Sequence, residues 1–177
     1  MRRVVMGHNE AGKAEVLADE NVEPITVAML PGVELHRVWE LDEHPSLPVT
    51  KAQSAQAGTY FPGPDGVRFG FVTIPPGLSY EPPADVPAEL LEAAAAEAEA
   101  KLPGMAATFD QDRPGVHTTH TVDYIVVVSG EGRMQTDDGV EVRLRAGECL
   151  IQNGTPHAWF NDGDQPFVVA YTICGAR

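Results

Sequence analysis

Apolar and polar positions alternate in short blocks along most of this chain, with Gly, Pro and Asp as punctuation, the pattern of an antiparallel β protein. VEPITVAML and GVELHRVWEL predict two early strands between Val22 and Leu41, broken at Pro31-Gly32. VRFGFVTI predicts a third, Val67 to Ile74, stopped by Pro75-Pro76-Gly77, and the polar stretch SLPVTKAQSAQAGTYFPGPDG before it reads as a linker. The period then changes. From Pro87 to Leu102 the spacing predicts a helix, with Asp85 near its start and Pro103-Gly104 as its stop. Leu90, Ala94, Ala98 and Leu102 recur four apart, with Leu91 and Ala95 beside them. One face can therefore pack while Glu89, Glu92 and Glu99 stay in water.

After the helix the chain reads as all β. DYIVVVSG is apolar on both alternating faces, which predicts a strand covered on both sides; a second subunit or the N-terminal strands are the available covers, so a homodimer is expected. GRMQTDDGVEVRL predicts a hairpin around Asp138-Gly139, and GECLIQ, HAWFN and PFVVAYTIC complete the series. Short strands, tight turns and no βαβ alternation indicate an antiparallel barrel or sandwich. At 177 residues, one domain spanning 1–177 is expected.

Charge narrows the partners. With 26 acidic against 12 basic residues, the net charge of −14 repels nucleic acid and anionic lipid. No apolar run is long enough to span a membrane, and the N-terminal apolar stretch is too short for a secretory signal. Cys149 and Cys174 lie in apolar runs, read as reduced, packed thiols. The protein is expected to be cytoplasmic, with a small molecule as its partner.

Chemistry concentrates in GVHTTHTVDYIVVVSG, where His117, His120 and Asp123 precede the apolar strand. Together with GECLIQNGTPHAWFN this segment resembles the two motifs of the cupin superfamily. His117 takes the first histidine position, Asp123 the glutamate position and Gly130 the closing glycine; Gly147, Gly154, His157 and Asn161 match the second motif. Thr119 stands where the family has its second histidine, and Asp replaces Glu. Gly77 matches the first motif glycine, so residues 78–116 read as a helical insertion at the barrel entrance, either a lid or pocket wall or a plug at one end. The resemblance implies an all-β, antiparallel cupin-type β-barrel (a double-stranded β-helix or jelly roll). Residues 22–77 would supply its N-terminal strands and 117–177 its motif-bearing strands.

The resemblance also implies a site. His117, Asp123 and His157 would hold a divalent transition metal, Fe(II) by ligand set or Mn, Ni, Co or Zn. The other reading of these residues is a motif that has lost its metal. His120 is the candidate catalytic acid or base, although in an extended strand its parity turns it away from His117 and Asp123. Trp159, Thr119 and Tyr171 are candidate substrate contacts, Trp159 and Tyr171 being equally readable as core. The implied function is a metal-dependent enzyme on a small organic substrate, aromatic or polyketide-like, of oxygenase or isomerase/lyase type. The alternatives are a metal-free isomerase or epimerase, and a non-catalytic ligand-binding cupin.

Overall fold

In the computed structural model, which describes residues 1–52, 58–81 and 85–177, the predicted alternation builds two antiparallel sheets that face each other. The strands are β1 (Arg2–His8), β2 (Ala14–Asn21), β3 (Glu34–Leu41), β4 (Val67–Ile74), β5 (Thr121–Ser129), β6 (Glu131–Thr136), β7 (Glu141–Arg145), β8 (Cys149–Gln152), β9 (His157–Phe160) and β10 (Phe167–Gly175). The helix α1 (Ala88–Lys101) lies between β4 and β5. One sheet runs β3-β4-β10-β5-β8 and the other β7-β6-β9, while β1 and β2 pair as a separate hairpin. Parts of the predicted linker (53–57) and of the insertion (82–84) lie outside the described residues.

The core sits between the sheets. Alternate residues of β10 (Phe167, Val169, Tyr171, Ile173) face inward and meet Ile125 and Val127 of β5, Ile74 of β4 and Leu144 of β7. Phe167 is fully buried, and Gly132 of β6 lies against its ring. A Cβ at Gly132 would fall 2.3 Å from that ring, so only glycine allows this approach. A second apolar cluster joins Ala98 and Leu102 of the helix end to Val27, Val33, Leu35 and Tyr60.

Several expectations need correction. The stretch 22–30 is not a strand: Pro24 and Pro31 lack donors, and Ile25 alone bridges Leu35 before the chain turns through Val27, Leu30 and Val33. The β1–β2 hairpin was not anticipated, because the apolar side chains of Val4, Met6 and Val16 point into solvent. Its turn was readable: the Asn9 side chain accepts from the Ala11 and Lys13 amides, and Gly12 adopts a positive φ. The helix forms where predicted, but packs only through Ala98 and the adjoining Leu102, whereas Leu90 and Leu91 are exposed. It meets the body at its C-terminal end, where Glu97 accepts from the Ala28 amide (2.9 Å) and pairs with Lys101 (2.6 Å). Within the chain β5 is covered on one face only, the N-terminal strands leaving Tyr124, Val126 and Val128 exposed on the face for which a second subunit is the other expected cover. Cys149, on the same outer face, is an exposed free thiol rather than a packed one. Among the described residues, no helix is long and apolar enough to cross a membrane.

Candidate active site in the barrel interior

Between the sheets lies a cavity of about 120 Å³ whose polar end is built by His117, Asp123 and His157. Trp159, Tyr60 and Tyr171 are among its aromatic walls, and most of the remaining lining is aliphatic. Two chain segments 40 residues apart meet here: His117 and His157 exchange backbone hydrogen bonds of 2.9 and 3.0 Å, an isolated bridge joining the approach to β5 to the start of β9. The motif glycine serves this crossing. Gly154 has φ +63° and would place a Cβ 3.0 Å from the Thr119 carbonyl.

The two imidazole rings lie 4.3 Å apart, centre to centre. His117 Nδ1 faces the Gly115 carbonyl at 3.2 Å and His157 Nδ1 faces the Thr155 carbonyl at 2.8 Å. A carbonyl only accepts, so each Nδ1 carries the proton and each Nε2 keeps its lone pair. Burial, with His157 beside it, pushes His117 down to about 4, and burial likewise lowers His157. Both rings are therefore neutral at pH 7.

Asp123 has the opposite problem. Burial among apolar groups raises its carboxyl to about 6, against the opposing hydrogen bond from Thr121. Thr121 Oγ1 donates to Asp123 Oδ1 at 2.6 Å, so the 2.7 Å contact between the threonine hydroxyls runs from Thr119 to Thr121. Thr119 is buried as the start of this relay and lies outside the cavity lining. Trp159 and Tyr171 line the cavity. His120, one residue before β5, is exposed and lies outside that lining. Asn161 is structural, its amide donating to the Ile74 and Gln165 carbonyls.

Tyr60, Tyr80 and Phe109 were not anticipated in the site. Tyr60 and Tyr171 place their hydroxyls 3.4 Å apart; burial raises both, Tyr171 to about 12, so they remain donors. Phe109 and Tyr80 come from the insertion, whose lining role no short motif announces. Its residues thus form a wall of the pocket.

Residues 109–174, the stretch that carries His117, Asp123 and His157, match the family model for the cupin domain. The chain carries a cupin domain in an antiparallel β-barrel fold. It is similar to oryzines biosynthesis cluster protein J of Aspergillus oryzae (strain ATCC 42149 / RIB 40), at 35% identity over 60 residues, 34% of each chain. It is also similar to phomopsin biosynthesis cluster protein C' of Diaporthe leptostromiformis, at 40% identity over 53 residues, 28% of each chain. The match thus spans about a third of the length of these curated relatives. A solved cupin 2 conserved barrel domain protein from Salinispora arenicola CNS-205 aligns over 89% of this chain and 90% of its own, at 14% identity and a TM-score of 0.45.

A family-type metal would need His117, Asp123 and His157 together. Among the described residues, no group of three His, Cys, Asp or Glu side chains converges to hold an ion in this geometry. The rings come together, whereas an oxygen of Asp123 is engaged by Thr121.

Proposed function

We propose that this chain is a cupin enzyme that moves a proton on a small carbonyl-bearing organic molecule, an isomerase- or lyase-type step carried out by its own side chains. The reading rests on one observation, the pair of neutral imidazoles with free Nε2 atoms at the end of an otherwise apolar cavity. A neutral imidazole in such a cavity is a general base. His157 Nε2 takes a proton from the carbon beside the carbonyl, and the electron pair left behind moves to the carbonyl oxygen. Of the Tyr60 and Tyr171 hydroxyls, both held protonated by burial, one donates to the other and the second keeps its proton for a hydrogen bond to that oxyanion. The imidazolium returns the proton to the same or a neighbouring carbon, and His117 keeps the site free of a second positive charge. Asp123, with its carboxyl near 6, exchanges protons with substrate oxygens. The biosynthesis-cluster names of the two relatives support a substrate drawn from the assembly of a small natural product.

The test is deuterium incorporation. Chelator-treated protein is incubated in D₂O with a panel of small ketones and β-dicarbonyl compounds, and exchange is read by mass spectrometry. Exchange that survives metal removal and is lost in His157→Gln is expected. No exchange, or exchange that His157→Gln leaves intact, overturns the proposal.

One observation favours a second reading. Nδ1 atoms pinned on carbonyls are also how metal-binding histidines are oriented. In that reading the two Nε2 atoms hold Fe(II), or Mn, Ni, Co or Zn, and metal analysis of untagged protein together with exchange only after metal addition would select it.

A further inference from the structure

The inner cavity is too small for the kind of molecule the site implies. Ligand sites span roughly 300–1,000 Å³, whereas this cavity has about 120 Å³. Beside it lies a second cavity of about 300 Å³, walled by Val27, Met29, Ala98, Leu102 and Pro114. The two share Leu30, Tyr80, Met105 and Phe109.

These shared residues are fixed in place. Phe109 bridges His117 through the backbone, and its ring lies 5.0 Å from the imidazole on the inner side. Flanking bonds from the Asp110 amide to the Val116 carbonyl (2.8 Å) and from the Thr118 amide to the Thr108 carbonyl (3.0 Å) lock that register. Tyr80 donates to the Trp159 carbonyl at 2.8 Å, packs edge-on against Phe160, and lies over Gly115, where a Cβ would fall 2.3 Å from its ring. The outer cavity is apolar apart from Asp110 and Gln111, and Asp110 is already paired with Arg113 at 2.6 Å.

We infer that the two cavities are one bipartite site for an elongated molecule, its carbonyl head beside His117 and His157 and an uncharged apolar tail beyond Phe109 under the helix end. Volume supports the pairing, since the inner cavity falls below the range of ligand sites and reaches it only when joined to the outer one. An acidic surface, and no cation among the described lining residues, disfavour an anionic tail. This inference deepens the proposed function and rests on its assignment of the head to the inner cavity.

The probe is the series of straight-chain 2-alkanones from 2-butanone to 2-undecanone, with binding followed by calorimetry and by the imidazole NMR signals. Affinity should rise about fourfold per added methylene and continue well past the length that fills the inner cavity. Ala98→Phe, which fills the outer cavity, should stop the rise at the short ketones. Met29→Trp, at a half-exposed position that tolerates bulk, is the second blocking variant should Ala98→Phe not fold. A rise that stops at the short ketones in the unaltered protein, or one that persists in the blocked variants, overturns the inference. The two claims fail separately: a chain-length dependence without deuterium exchange leaves the bipartite site standing and removes the proton-transfer reading. Exchange confined to short ketones does the reverse.

Discussion

Asp123→Asn separates stability from function at one position. The folded carboxyl titrates at about 6 and the unfolded one at 3.8, so folding disfavours the ionised form. Below pH 3.8 the group is protonated in both states and costs nothing; between 3.8 and about 6 the unfolded state ionises while the folded state keeps its proton, so stability is lost over that range and the loss is complete above it. With ~1.4 kcal/mol per pKa unit, the full penalty above pH 7 is about 3 kcal/mol. For a domain of this size that is roughly 6–12 °C in Tm. Asparagine keeps an oxygen for the Thr121 hydroxyl and carries no charge. Asp123→Asn should therefore raise Tm at pH 8 and leave it nearly unchanged at pH 4. Calorimetric unfolding of both proteins at the two pH values makes the comparison, and the opposite-signed contribution of His117, common to both, cancels. A variant less stable at pH 8 would refute the reasoning, because it would mean that the carboxylate is held by a favourable partner in the folded protein.

His117→Ala and His157→Ala should each lower proton exchange about 10²-fold or more, while His120→Ala, at an exposed position, should leave it unchanged; initial-rate measurements on the three variants check this. Phe167→Ala empties a fully buried site beside Gly132 and should cost about 3–5 kcal/mol in denaturant unfolding, a loss under 1 kcal/mol contradicting the packing described. The outer face of β4, β5, β8 and β10 presents Phe69, Tyr124, Val126, Val128, Cys149 and Ile151 with no charged side chain at its alternating positions, on a chain of net charge −14. Four strands at ~4.8 Å spacing make an apolar patch of several hundred Å², more than monomers ordinarily expose. A second copy is the occupant expected, so light scattering should give twice the chain mass and Val126→Lys should return a monomer; a monomeric unaltered protein would contradict it.

The strands that build the barrel were legible because one face of each is buried and turn residues bound them: Val67–Ile74, the Asp138-Gly139 hairpin and the last strand all lie where the alternation puts them. The alternation fails where packing is one-sided or reversed. Val4, Met6 and Val16 face solvent, and the apolar run 22–30 curls around Val27 and Leu30. The site was half legible. Motif spacing located His117, Asp123 and His157, and His120 lies outside the cavity they line. Spacing carries no information on side-chain convergence, so the close pairing of the imidazoles and the hydroxyl relay to Asp123 emerged only from the Thr119–Thr121–Asp123 contacts and the His117–His157 bridge. Phe109 and Tyr80 stayed hidden because their place at the cavity neck depends on long-range contacts with His117, Gly115 and Trp159.

The account depends on two neutral imidazoles that present Nε2 lone pairs to the cavity. Long-range ¹H–¹⁵N correlation spectra of uniformly labelled, chelator-treated protein at pH 7 observe this directly. His117 and His157 should each show a protonated Nδ1 and an unprotonated Nε2, and His117 should keep that pattern down to about pH 4. A protonated Nε2 on either ring, or an imidazolium at pH 7, would contradict the account.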